Sequence, residues 1–301
     1  MVIILYMEFK DIKVEKSQRR QTVYLYLKSL GYSENYLKNL RKEYGYIKKN
    51  GNICFMNEYI SDGDIISVYT NPNPRTCIIS CIIPLDIVYE DEYILVVNKP
   101  SGLATMPTKS HFTYNLSGGI MAYMQQKDSG FVLRIVNRLD KDTAGLVLVA
   151  KNSLIANYFN ENDKIAKTYY AVCEGIIDKN LIIDKNIDTL KNEYGYNIQK
   201  RVISKHGKKA ITYVEPIKTF KNKTLLKITL KHGRTHQIRV HMASISHPLI
   251  GDELYGQKSN EISHTALACS EMTFIHPITN NTINLKVNIP QDMITLIGNK
   301  I

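Results

Sequence analysis

The alternation of apolar and polar positions divides the chain into two unlike stretches. Before residue 70, apolar residues recur first at helical spacing and then in short runs. "QTVYLYLKSLGY" (21–32) puts Val23, Leu27 and Leu30 on one face and stops at Gly31, which predicts a helix. "SENYLKNLRKEYGY" (33–46) opens on the capping residue Ser33 and ends at Gly45, which predicts a second. Asn50-Gly51 in "YIKKNGNICF" separates two apolar runs and predicts a hairpin. "ISDGDIISVY" adds a turn and a closing strand. The prolines and asparagines of "TNPNPR" (70–75) then resist regular structure.

Beyond this break the pattern is one of strands. "YILVVNKPSGL" reads as a buried strand running into a Pro-Ser-Gly turn; "VLRIV", "LVLVA", "KTYYAVCEG" and "TLLKITL" read as further strands. Helical spacing returns near 115–127, 152–161 and 235–246. The expected organisation is a helix–helix–hairpin domain over residues 1–70 and a linker over 71–84. An α+β domain on a mostly antiparallel sheet follows over 85–301.

Composition narrows the class. Apolar residues make up 44%, enough for a packed core. The longest apolar runs are too short to cross a bilayer, and "MVIILYMEFK" lacks the basic flank and cleavage site of a signal peptide. A cytoplasmic protein without a membrane partner, and a monomer, is expected. The five cysteines are scattered and lack CxxC spacing, which argues against a disulfide framework or a zinc site. The net charge of +11 favours a polyanionic partner. Through residue 80 there are twelve Lys and Arg against eight Asp and Glu. Lys38, Arg41 and Lys42 on the second predicted helix, with Lys48 and Lys49 just after it, form a cluster suited to phosphates.

Two stretches carry candidate chemistry. "IVNRLDKDTAGLVLVAKN" (135–152) presses Arg138, Asp140, Lys141 and Asp142 between apolar runs. A carboxylate placed there is partly desolvated and calls for a counter-charge, for which arginine is suited. "KHGRTHQIRVHMASISHPLIGDELYG" (231–256) puts Arg234 in a loop, Thr235 at an expected N-cap and Arg239 in the first turn of a helix. Asp140 and Asp142 read as turn residues rather than as a glycosidase pair. His232, His236 and His241 lack HExxH spacing, so no metal is expected. No Walker loop and no GxGxxG opening a helix is present.

Four segments, KPSG, RLDKDTAG, KTYYA and GRTHQIR…HPLIGD..YG, resemble the RluA-type pseudouridine synthase family in content, order and spacing, over nearly all of 85–257. The N-terminal helix pair, "KKNGN" and "SDGDII" resemble the S-four type RNA-binding module. The resemblance implies an α+β fold with a mostly antiparallel mixed sheet and a central active-site cleft. It implies isomerisation of uridine to pseudouridine in RNA without a cofactor, on large-subunit ribosomal RNA or, alternatively, transfer RNA. Asp140 is then the catalytic carboxylate. It can attack the anomeric carbon, stabilise an oxocarbenium-like state or remove the neighbouring sugar proton. Arg239 pairs with Asp140. Tyr169 packs on the base and assists proton removal at carbon 5, while Tyr170 points to the opposite face of its strand. Arg138 fills the space left by the extruded base. Lys99 and Arg234 contact phosphate or the active-site wall. Asn137 stands where the family often has His and would keep a substrate-side hydrogen bond; Ala144 stands where it often has Ser. The competing reading is a non-catalytic RNA-binding or ribosome-assembly protein, which has no need of Asp140, Tyr169 and Arg239 together.

Overall fold

The computed structural model describes residues 9–15, 21–32, 34, 36–37, 40, 47–69, 78–108, 111–128, 131–160, 164–191 and 197–298. The first elements are β1 (Phe9–Lys13), α1 (Val23–Ser29), β2 (Ile47–Lys49), β3 (Asn52–Ile53) and β4 (Ile65–Tyr69). The four strands form an antiparallel sheet in the order β1-β4-β2-β3. Thr22 caps α1, its side chain accepting from Leu25 N. Asn50 and Gly51 both take positive φ, the requirement of a tight two-residue hairpin turn. Val23, Leu27, Leu37, Ile66 and Val68 form a separate small core. Of the second predicted helix, Glu34, Tyr36, Leu37 and Leu40 are helical. Lys38, Arg41 and Lys42 lie outside the described residues, as does "TNPNPR", while Lys48 and Lys49 lie on β2.

The larger part of the chain is built on a nine-stranded mixed sheet. Its path runs β5 (Asp86–Glu90), β6 (Ile94–Lys99), β7 (Ala144–Ala150), β14 (Leu267–Ile275), β8 (Ile165–Glu174), β13 (Lys223–Leu230), β12 (Ile211–Phe220) and β9 (Leu181–Asp184). β15 (Thr282–Lys286) pairs with β14 off this path. Every pairing is antiparallel except β7 with β14. A separate ribbon of β10 (Ile187–Lys191) and β11 (Asn197–Ile203) stands beside it. The helices are α2 (Leu116–Gln125), α3 (Ser153–Asn160), α4 (Gln237–Ala243) and α5 (Gln291–Thr295). Residues 78–84, assigned to the linker from sequence, lie against this part: Ile78 and Ile83 pack on its core and Cys81 N donates to Gly118 O.

β7 explains its unbroken apolar run. Val147 and Val149 face the core shared with α2, and Leu146 and Leu148 face the one shared with α3, so no residue of the strand is exposed. Gly145 has φ +113°, and a Cβ there would lie 2.1 Å from the Cys269 carbonyl oxygen. Only glycine lets β7 leave the 138–143 loop this close to β14. "VLRIV", expected as a strand, is instead an irregular segment alongside β7, bonded through Val136 N to Leu148 O and Ala150 N to Arg134 O. Among the described residues no helix is long and apolar enough to cross a membrane.

Candidate active site

Asp140 stands in the loop between "VLRIV" and β7, with its side chain 30% exposed. The loop is held from below by side chains bonded to backbone. Lys99, at the end of β6, is fully buried and donates to the carbonyls of Pro100, Leu103 and Lys141 at 2.8, 2.8 and 2.9 Å. Burial pulls its pKa down to about 7, against the opposing effect of Asp142 and Asp140. Thr105 Oγ1 donates to Leu139 O at 2.6 Å and accepts from Leu139 N at 3.3 Å. Asn137 accepts from Leu148 N and donates to Leu146 O, continuing the ladder of β7 with a side chain.

These contacts revise two expected roles. Lys99 is not a wall or phosphate contact: it has no exposed surface, and three carbonyls take its three ammonium protons. Asn137 is not turned to substrate; both ends of its amide are used by β7, and it is buried.

The opposite side of Asp140 is the start of α4. Arg239 Nη1 lies 3.5 Å from Asp140 Oδ2. Its firmer partner is Asp252: Nε donates to Asp252 Oδ2 at 2.8 Å and Nη2 to Oδ1 at 2.7 Å. The planar guanidinium thus spends one edge on Asp252 and turns its remaining nitrogen to Asp140. Burial lowers the Arg239 pKa, but the Asp252 hydrogen bonds and charge, with Asp140, outweigh it and leave the value raised. Asp252 is fully buried and also accepts from Leu254 N and Tyr255 N. Gly251 makes that turn possible, with φ +74° and the His264 carbonyl oxygen 2.3 Å from where a Cβ would stand.

The N-cap of α4 is His236, not Thr235. It is left-handed (φ 57°, ψ 19°) and makes no side-chain cap bond. His236 Nε2 lies 3.7 Å from Asp140 Oδ2 and Nδ1 lies 3.0 Å from the Tyr255 hydroxyl. Burial lowers its pKa, Asp140 opposes this, and Arg239 adds to it. The helix itself covers Gln237–Ala243, shorter at both ends than its apolar spacing predicts.

Tyr169 is buried on β8, opposite Cys269 of β14 and Ile228 of β13. Burial first, then Cys269 and the Asp140 charge, raise its pKa well above that of a free phenol, so it stays neutral. Tyr170 points away and donates to Glu271 Oε1 at 3.1 Å. Arg138 is exposed. Arg234 is exposed too, with Nε donating to Lys209 O at 3.2 Å. Asp140, Arg239 and Tyr169 therefore come together, with Arg138 beside them in sequence. Among the described residues no group of His, Cys, Asp and Glu could hold a metal ion; His241 is spent on Thr212 and the Lys185 carbonyl.

Asp252 and Tyr255 were not singled out from sequence and His236 entered only as a rejected metal ligand, although "GRTHQIR" and "GDELYG" contain them. Their signal was present as a motif; their roles depend on contacts thirteen and nineteen residues apart.

A model of the RNA pseudouridylate synthase family matches residues 93–244. Over 280 residues the chain is 32% identical to the uncharacterized RNA pseudouridine synthase YjbO of Bacillus subtilis, covering 92% of this chain and 98% of that one. Over 230 residues it is 36% identical to the ribosomal large subunit pseudouridine synthase D of Zymomonas mobilis, covering 70% and 71%. The fold resembles the solved human RNA pseudouridylate synthase domain containing 4, with a TM-score of 0.56 at 20% identity, covering 70% of this chain and 92% of that one. The family match takes in Lys99, Asp140, Tyr169 and Arg239. A guanidinium and a buried phenol gathered at one partly exposed carboxylate suit sugar–base chemistry on RNA, and the chain belongs to the RNA pseudouridylate synthase family as an RNA pseudouridine synthase.

Proposed function

We propose that this synthase acts on uridines of large-subunit ribosomal RNA and that Asp140 is its catalytic carboxylate. The supporting observation is the counter-charge: Asp140 is open to solvent on one side and faces an arginine whose orientation is fixed by a second, buried carboxylate. The reaction breaks the bond from N1 of uracil to C1′ and forms one from C5 to C1′. The C5 hydrogen leaves as a proton, and N1 takes one up. Asp140 acts at the sugar, as a nucleophile at C1′ or as a base at the neighbouring carbon. Arg239 offsets its charge and aims it. Tyr169, kept neutral, packs on the uracil and assists proton removal at C5.

The target base must leave its stack, at a cost of a few kcal/mol. Arg138, exposed next to Asp140, occupies the vacated space. Phosphates are held by the exposed basic residues Lys205, Lys208 and Lys209 between β11 and β12 and Arg234 ahead of α4, and by the N-terminal module with Lys38, Arg41, Lys42, Lys48 and Lys49. That module, over residues 1–70, serves as an S-four-like RNA-binding domain. The choice of ribosomal RNA rests on relatives named as large-subunit synthases.

The test is to map pseudouridines in ribosomal and transfer RNA from cells with and without the gene, and after return of wild type or Asp140→Ala. Sites in large-subunit RNA that vanish and return with wild type alone are expected. Loss confined to transfer RNA, or full return with Asp140→Ala, contradicts the proposal.

A further inference from the structure

We propose that His236 is a positioning residue for Asp140 and that Tyr255 selects the imidazole tautomer that does so; the inference rests on Asp140 being the catalytic carboxylate. Three independent features of the site point this way.

The first is backbone conformation. The left-handed region is unfavourable for a residue other than glycine, and His236 occupies it. An N-cap residue ordinarily takes extended backbone and makes a side-chain capping bond, and His236 does neither. The left-handed turn instead directs its ring back over the helix start, where it is buried between Asp140 and Tyr255.

The second is the hydrogen-bond logic of Tyr255. Its hydroxyl accepts from Arg201 N at 2.7 Å, a donor that can only donate. The one phenolic proton is then available for His236 Nδ1 at 3.0 Å. The rings meet nearly perpendicular, at 83°. With Nδ1 accepting, a neutral imidazole carries its proton on Nε2, which faces Asp140 Oδ2. The other tautomer would set a nitrogen lone pair against a carboxylate oxygen. The charged groups around the ring are Asp140 and Asp252 on the acidic side and Arg239 and Arg201 on the basic side. Burial lowers the ring's pKa against the opposing charge of Asp140 and so favours the neutral imidazole.

The third is convergence. Arg239 Nη1 at 3.5 Å and His236 Nε2 at 3.7 Å approach the same oxygen, Oδ2. Both approaches are longer than hydrogen bonds, and on this proposal they tighten when substrate binds. Tyr255 also ties this geometry to β11, because Arg201 N belongs to that strand.

The experiment uses the full-length protein and tritium release from ribosomal RNA labelled at uridine C5. Wild type, Tyr255→Phe, His236→Asn and Asp140→Ala are compared for kcat, KM and RNA affinity, and long-range proton–nitrogen NMR reports the His236 tautomer. Wild type should show His236 protonated at Nε2. Tyr255→Phe should show a mixture of tautomers and lose about tenfold in kcat with KM unchanged, the effect of one hydrogen bond. His236→Asn, which tolerates the left-handed turn, should lose at least as much. Wild-type His236 protonated at Nδ1, or Tyr255→Phe at full kcat, overturns the proposal. If Asp140→Ala is inactive while Tyr255→Phe is unimpaired, only this inference fails. If Asp140→Ala keeps its activity, the assignment of Asp140 fails and takes this one with it.

Discussion

The loop that carries Asp140 and the helix that carries Arg239 face each other, yet they are fixed by different forces. The loop is clipped to neighbouring backbone: Lys99 reaches three carbonyls, Thr105 brackets Leu139, and Asn137 extends the ladder of β7. The helix side is fixed by charge, through the buried Arg239–Asp252 fork, and by the His236–Tyr255 contact. The loop therefore determines where the carboxylate stands, and the helix determines the potential it stands in. Side chains of the first kind should affect stability more than turnover. Those of the second kind should affect both.

Asp252→Asn is the strongest way to break that contrast. It leaves Arg239 buried with half its counter-charge, so unfolding in urea should show a loss of about 3–5 kcal/mol. The tritium-release rate should fall by more than tenfold as well, since Arg239 is no longer aimed at Asp140. A stable variant with full activity would mean that the fork is dispensable.

Lys99→Met comes next. Losing the ammonium leaves buried carbonyls unpaired and should cost about 2–4 kcal/mol, with a smaller change in kcat. Its pH dependence is diagnostic. The folded-state pKa is about 7, below the ordinary 10.5. Between these values the unfolded chain binds more protons than the folded one, so stability rises with pH across that window. Denaturant melts of wild type should show this gain from pH 7 to 10 relative to Lys99→Met, and parallel curves would refute it.

Asn137→Ala should cost about 1–3 kcal/mol by leaving Leu148 N without its acceptor, while KM for RNA stays within twofold. A large rise in KM would return Asn137 to a substrate role. Deleting residues 1–75 should change kcat least, within about twofold at saturating RNA. It should weaken RNA affinity and flatten its salt dependence through lost phosphate contacts. An unchanged salt slope would remove the N-terminal module from RNA binding.

The sequence made much of this visible, for identifiable reasons. Helices α1, α2 and α3 follow apolar spacing closely, and β7 follows its unbroken run, because burial on both faces leaves no alternation to misread. Asp140, Tyr169 and Arg239 were legible as motif residues. Their partners were less so. Lys99 and Asn137 have polar side chains that suggest ligand contact, and only the fold shows backbone groups within their reach. Thr235 has the better intrinsic capping propensity, yet tertiary contacts with Asp140 and Tyr255 place His236 at the cap. Arg239 points to Asp140 in a motif-based reading, but the shorter bonds go to Asp252, which the turn at Gly251 brings back beneath the helix.

The most direct test of the account is tritium release from C5-labelled ribosomal RNA by wild type and Asp140→Ala, with RNA affinity measured on the same preparations. The account predicts release by wild type, a fall of at least about 10³-fold in the variant, and affinities that agree within a few-fold. Release by both proteins, or loss of binding in step with loss of release, would contradict it and make Asp140 a structural residue of its loop.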